Sequence, residues 1–109
     1  MTMSGSFGEM GNILAQAQKM QKGLEEARGE LRDARIDGTA GGGVVRASVD
    51  GMGDIQEIHL SDEVANGGDT SMLQDLLIAA IKDAQTRAKR QHDERLAKVT
   101  GGMNLPGLF

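Results

Sequence analysis

The stretch Met72–Val99, MLQDLLIAAIKDAQTRAKRQHDERLAKV, decides the fold of this chain. Its apolar residues recur every three or four positions, which is the period of a helix that rests one face on a core. The apolar stripe consists of Leu73, Leu76, Leu77, Ala80, Ala84 and Ala88, with Ile81 at its edge. This pattern predicts one long helix from about Met72 to Val99.

The same face of this helix changes from apolar to basic within about one turn. Its continuation holds Arg87, Gln91, Arg95 and Lys98. From Lys82 to Lys98 the chain has six basic residues against Asp83, Asp93 and Glu94. A helix lying wholly on a core would keep its stripe apolar, so we expect the second half to project beyond the sheet. A solvated helix end, where the helix dipole favours positive charge, explains the same residues equally well.

An earlier segment shows a heptad pattern with almost four repeats. Its apolar positions are Met10, Ile13, Ala17, Met20, Leu24, Ala27, Leu31 and Ala34. The pattern predicts a first helix from about Glu9 to Asp33, preceded by a flexible N-terminal arm over residues 1–8. An amphipathic helix packed on a sheet explains the heptad better than a free-standing coiled coil. One end of that helix can still pack on a second subunit.

Between the helices the pattern changes to the alternation that is typical of β-strands. Val45, Ala47 and Val49, for example, alternate with polar residues. The predicted elements are strands over 35–39, 45–49 and 55–60, a glycine-rich turn over 40–43 and a hairpin connection over 51–54. Short connections favour an antiparallel meander. The predicted fold class is therefore α+β, a three-stranded antiparallel sheet between two helices in the order α-β-β-β-α.

The boundaries of the second helix follow from polar residues and glycines. A polar loop is predicted over 61–70. The helix can begin with a capping box formed by Ser71 and Gln74, or with Asp69 or Thr70 as the cap. Gly101 and Gly102 end it, and Pro106 keeps the following residues extended. We expect a single domain over 9–100 and an extended C-terminal tail over 101–109.

The composition predicts a small soluble protein that forms a homodimer. The chain has 109 residues, two Phe, no Trp or Tyr and no Cys, so its core is small and has no disulfide to stabilise it. No Lys or Arg precedes Lys19, and the longest apolar run, Leu76–Ile81, is far too short for a membrane span, so we expect a cytoplasmic protein. The net charge of −4 counts against nucleic acid binding unless the basic residues share one face.

Catalytic and cofactor-binding patterns are nearly absent from the sequence. The two histidines, His59 and His92, lie on different predicted elements and match no helical metal-ligand spacing. The glycines over 41–43 precede a strand, with no Lys and Ser or Thr pair after them, which is typical of a turn and not of a phosphate loop. We therefore expect no enzyme activity, no metal and no cofactor.

Several segments together resemble one family, the YbaB/EbfC proteins. The opening of the first helix, Gln16–Gln21 (QAQKMQ), resembles the family's long first helix. The sheet and second helix resemble it through Gly38, Gly41–Val45 (GGGVV), Val49–Gly51 (VDG) and Leu73–Ala84 (LQDLLIAAIKDA). The ending Gly101–Gly107 (GGMNLPG) resembles the family's tail. The likeness covers essentially the whole chain, in order and without large gaps.

This resemblance implies a tightly paired, tweezer-like homodimer with projecting helices, and it implies DNA binding and association with the bacterial nucleoid. It implicates the projecting parts of both helices in general, without a residue motif. The basic candidates there are Lys19, Lys22, Arg28 and Arg32 on the first helix and Arg87, Lys89, Arg90, Arg95 and Lys98 on the second. Glu25, Glu26 and Glu30 dilute the first group.

The expected function is binding of double-stranded DNA through its phosphates, with low sequence specificity and effects on nucleoid organisation and gene expression. The heptad and the acidic total charge favour an alternative. In that alternative the chain is a dimeric, non-enzymatic adaptor that binds a protein partner in DNA repair or recombination.

Overall fold

A computed structural model describes the backbone of residues 2–101 and the side chains of residues 8–101. The elements in chain order are α1 (Thr2–Asp33), β1 (Ile36–Ala40), a 3₁₀ turn (Gly41–Gly43), β2 (Val45–Val49), β3 (Ile55–Leu60), α2 (Asp62–Asn66) and α3 (Thr70–Val99). The predicted α+β class and the order of the two long helices and three strands are confirmed. The short helix α2 lies where a polar loop was predicted, because the Ser61 side chain accepts a hydrogen bond from the Val64 amide and caps it.

The first helix is longer than the heptad pattern predicts. It begins at Thr2, whereas the pattern places its start near Glu9 and an arm before it. Extending an existing helix costs much less than nucleating one, so weak helix formers at the N-terminus can join it. Gly101 has a φ of +64°, which fits the predicted helix end. The rest of the expected C-terminal tail, residues 102–109, lies outside the described residues.

The three strands form an antiparallel meander in the order β1-β2-β3, which confirms the predicted arrangement. Ala47 at the centre of β2 pairs with Gly38 on β1 and with Ile58 on β3. The side chains of paired residues lie on the same face of the sheet. The order makes β1 and β3 the two opposite edges of the sheet.

Helix α3 covers one face of the sheet along β1 and β2. Its small residues Ala80, Ala84 and Ala88 pack against Ile36, Val45, Ala47 and Val49, and all of these are buried. Gly38 makes this close approach possible, because a Cβ at Gly38 would collide with backbone atoms of Ala80 and Ala84. The helix begins with the Asp69 side chain, which accepts a hydrogen bond from the Met72 amide at 2.9 Å.

A second, smaller core joins the end of α3 to α1. Leu24, Ala27 and Leu96 are buried there, with Met20 and Val99 packed beside them. The β2–β3 hairpin contacts the C-terminal end of α1, because the Gly51 amide donates a 2.6 Å hydrogen bond to the Leu31 carbonyl. Helix α1 thus packs on α3 from about Met20 onward, whereas its described side chains before Met20 are exposed.

Candidate nucleic-acid interface

The sequence pattern predicts that the apolar row of α3 continues into the basic residues. In the structure, the buried row does not continue into them. From Ala80 it advances in steps of four residues through Ala84, Ala88 and His92 to Leu96, which is 1% exposed. Each four-residue step turns the row by about 40°, so it drifts around the helix and meets α1. The second half of α3 therefore packs on α1, and the predicted basic face lies beside the buried row.

That side of α3, which we call the basic flank, consists of Arg87, Gln91, Arg95 and Lys98. At 100° per residue these positions fall within an arc of about 80°. At 1.5 Å per residue, Arg87 and Lys98 lie roughly 17 Å apart along the helix axis. The sequence correctly grouped these four residues on one side of the helix, although it aligned them with the wrong part of the core.

One groove on the basic flank lies between α1 and the end of α3; we call it the α1–α3 groove. It has a volume of about 480 Å³. Its lining brings together three predicted basic residues, Lys19 from α1 and Arg95 and Lys98 from α3. The two helices are joined here by the packing of Leu96 against Leu24, so the cations come from a fixed junction.

Arg95 differs from its neighbours because it already has a carboxylate partner. Its Nε and Nη2 atoms donate hydrogen bonds of 2.8 and 3.2 Å to the two carboxylate oxygens of Glu30 on α1. This two-point bond lowers the pKa of Glu30 and raises that of Arg95. The Arg95 side chain is 31% exposed, against 60% for Arg87. Arg95 thus links the two helices.

A second groove lies at the β1 edge of the sheet; we call it the β1 groove. It has a volume of about 320 Å³ and is lined by Arg35, Ile36, Asp37, Arg87, Arg90 and Gln91. Arg35 was not among the predicted site residues. It lies in the short connection between the first helix and β1, and no periodic pattern connects it with Arg87 in the sequence.

Arg87 is held in place by a chain of hydrogen bonds that reaches the sheet. Its Nε donates to Asp83 Oδ1 at 3.2 Å, and the other carboxylate oxygen accepts the Thr39 amide of β1 at 3.0 Å. The Thr39 amide and the Arg87 guanidinium, in that order of importance, lower the pKa of Asp83. Asp83 therefore stays charged and orients Arg87 beside β1.

The structure separates the remaining predicted basic residues from these grooves. Lys89 lies on the other side of α3, where its Nζ is 3.2 Å from Asp93 and close to the β2–β3 hairpin. The Asp93 pKa is lowered by His92 first and then by Lys89. On α1, Arg28 and Arg32 flank the buried row on the side opposite Lys19, and Lys22 points away from it, as helical angles of about 100° per residue place them.

No helical segment within residues 2–101 combines the length and apolar character that crossing a bilayer requires. Among the described side chains, no three His, Cys, Asp or Glu residues are grouped as metal ligands would be.

Comparison with known proteins identifies one family by sequence and one similar fold. The model of the YbaB/EbfC DNA-binding family matches residues 7–103. A nucleoid-associated protein of Clostridium acetobutylicum is 41% identical over 93% of this chain and 90% of its own length. One of Nocardia farcinica is 40% identical over 99% of this chain and 97% of its own. The crystal structure of an uncharacterized protein from Helicobacter pylori shares the fold, with a TM-score of 0.72, 21% identity and coverage of 87% of this chain and 97% of that one.

Proposed function

This chain belongs to the YbaB/EbfC DNA-binding family, and we propose on that basis that it is a nucleoid-associated protein that binds double-stranded DNA in the bacterial cytoplasm. The observation that carries the proposal is the basic flank with its two grooves, to which α1 adds Lys19 and the α1–β1 connection adds Arg35. Clustered cations bind DNA because they displace the counterions condensed on its phosphates. Local clustering thus offsets the net charge of −4.

The proposed phosphate contacts are Arg87, Arg90 and Lys98 on α3 together with Lys19 on α1. Arg95 lines the α1–α3 groove, but its charge is balanced by Glu30, to which its guanidinium stays bound. The remaining basic candidates, Lys22, Arg28, Arg32 and Lys89, lie away from the two grooves and supply only long-range attraction.

We expect low sequence specificity. Phosphate contacts orient a protein on the duplex but carry no sequence information. The chain has no Trp or Tyr that could stack on bases, and neither groove is lined by Phe. A protein of this kind binds many sites on a chromosome, so its proposed effects on nucleoid organisation and gene expression are broad.

The proposed working form is a homodimer that meets along β3. This edge strand has no buried side chain, and Ile55 is 49% exposed on the sheet face that α3 covers elsewhere. Ile58 is exposed on the same face, and Ile78 of α3 is 52% exposed on the flank nearest β3. A second copy would cover these side chains and pair the free strand edge. The two basic flanks would then lie on the outer sides of the dimer.

A salt titration tests the proposed function. Fluorescence anisotropy should show binding to two unrelated duplexes with similar affinities. The logarithm of the affinity should fall linearly with the logarithm of salt concentration, with a slope of about −0.9 per neutralised phosphate. Absence of salt-sensitive binding, or binding to only one of the duplexes, would contradict the proposal.

One observation favours the alternative function of a protein adaptor. Met10, Ile13 and Leu14 on the first half of α1 are each more than half exposed, and no described residue covers them. Apolar side chains at this spacing suit a helical protein partner. An adaptor whose only role is this contact would lose partner binding with Ile13→Glu and would show no salt-sensitive DNA affinity.

A further inference from the structure

We infer that Arg35, Arg87 and Arg90 form a single site for DNA backbone phosphates at the β1 edge, with Arg35 as a phosphate-binding residue. This inference rests on the proposed DNA binding and names the part of the surface that carries it. The three arginines come from two distant parts of the chain, the connection between α1 and β1 and the middle of α3.

Arg35 is held in a defined orientation by the end of α1. Its Nη1 donates hydrogen bonds to the carbonyl oxygens of Arg32 at 3.1 Å and Ala34 at 2.8 Å. A guanidinium has five N–H donors, of which Nη1 supplies two. Within the described residues, the donors on Nε and Nη2 have no hydrogen-bond partner, so they are available to an anion in the groove.

Arg87 and Arg90 complete the site with further available donors. Arg87 uses its Nε on Asp83, and its two Nη groups have no partner within the described residues. Arg90 forms no ion pair with any described carboxylate. The oriented, planar guanidinium groups suit the bidentate hydrogen bonding that phosphate oxygens accept.

The charges around the groove favour an anion. The lining of the groove contains three guanidinium groups and one carboxylate, that of Asp37. The nearby Asp83 carboxylate is bound by Arg87 and the Thr39 amide. In the α1–α3 groove, by contrast, Arg95 has Nε and one Nη committed to Glu30. The β1 groove therefore offers more guanidinium donors to a ligand.

Substitution of Arg35 tests the inference. The Arg35→Gln protein should bind duplex DNA about two- to fivefold more weakly, because each bound duplex loses one exposed charge pair at the β1 edge. Its salt slope should become shallower by about one for each phosphate that the variant no longer neutralises. Arg35 is exposed and lies outside both cores, so the melting temperature should stay close to that of the wild type.

A matched control separates this site from a general effect of charge. Arg46→Gln removes the same charge from an exposed β2 position on the sheet face opposite α3, and its DNA affinity should change much less. Arg90→Gln should reproduce the weaker binding, since it changes the same groove without touching the end of α1. Equal effects of Arg35→Gln and Arg46→Gln, or none from either groove variant, would overturn the inference.

The outcomes also distinguish this inference from the proposed function. Wild-type protein without salt-sensitive DNA binding would overturn the proposed function. Wild-type binding that is abolished by Lys19→Gln and Lys98→Gln, but kept with Arg35→Gln and Arg90→Gln, would overturn only the β1 site. Inorganic phosphate at constant ionic strength should not displace the duplex.

Discussion

The two edges of the sheet differ in what they leave exposed. At the β1 edge, α3 lies close to the strand and exposes arginines, among them Arg87, which is tied to Thr39 through Asp83. At the β3 edge no helix within residues 2–101 covers the strand, and Ile55 and Ile58 remain exposed. One helix placed off-centre on a three-stranded sheet thus creates a polar edge and an apolar edge. This difference is the basis of our proposal that the chain binds DNA at the β1 edge and a second copy of itself at the β3 edge.

Helix α3 approaches β1 most closely at Gly38, so Gly38→Ala should have the largest effect. Its Cβ would lie 2.5 Å from the Ala80 carbonyl oxygen and even closer to Ala84, and these are backbone atoms that cannot move aside cheaply. We expect a decrease of about 2–4 kcal/mol in the free energy of unfolding, measured with urea. Gly29→Ala is the control, because its Cβ meets nothing within 4 Å and a helical Ala stabilises by about 1 kcal/mol. An equally stable Gly38→Ala protein would mean that α3 does not lie this close to β1.

The apolar edge is tested by Ile58→Glu, which should convert the proposed dimer to a monomer. Ile58 pairs with Ala47 on the sheet face that α3 covers elsewhere, and Ile58 itself is exposed. A carboxylate at this position would be buried in the proposed dimer. Sedimentation velocity measures the change in mass. The control is Glu57→Gln on the opposite face of the same strand, which should remain dimeric. An Ile58→Glu protein that stays dimeric would place the contact elsewhere, with the exposed first half of α1 as the next candidate.

The basic edge is tested by the double variant Arg87→Gln, Arg90→Gln. DNA affinity should fall by similar factors for unrelated duplexes, and the salt slope should become shallower by about one per phosphate that is no longer neutralised. The charge-matched control is Arg46→Gln with Lys89→Gln, which removes two exposed cations that line neither basic groove. The proposed dimer should persist in both proteins. If the control weakened binding as much as the double variant, net charge and not the grooves would determine binding.

The smallest expected effect is on the pH dependence of stability, and it tests the contact between α3 and β1. The pKa of Asp83 is lowered by the Thr39 amide and Arg87, and that of Glu30 by Arg95. A carboxyl group with a lowered pKa in the folded state stabilises the protein above its ordinary pKa, 3.8 for Asp83 and 4.5 for Glu30. This stability is lost as the pH falls below those values. Melting temperatures measured from neutral pH down to about pH 3 should decline less steeply for Asp83→Asn than for the wild type. Equal slopes for the two proteins would mean that the hydrogen bond between Asp83 of α3 and the Thr39 amide of β1 contributes nothing to stability.

Local patterns were sufficient to predict the secondary structure of most of the chain. The strand around Val45–Val49 was predicted from its alternation, and α3 from its apolar stripe, because both signals depend only on neighbouring residues. The extra turns at the start of α1 and the short helix α2 were missed. Weak helix formers extend an existing helix or follow a cap at little cost, and neither case needs an apolar period.

The sequence by itself determined the two long helices, the three strands, their order, the family resemblance and the placing of Arg87, Arg95 and Lys98 on one side of a helix. Only the tertiary structure decided the partners of that side: Arg95 meets Glu30 across 65 residues, and Arg35 joins Arg87 across the β1 edge. The physical reason is that helical period fixes angles within one helix, whereas the contact between two helices depends on how the buried row drifts. On α3 that row turns toward Leu96 and α1, and its drift leaves the arginines at the edge of the sheet.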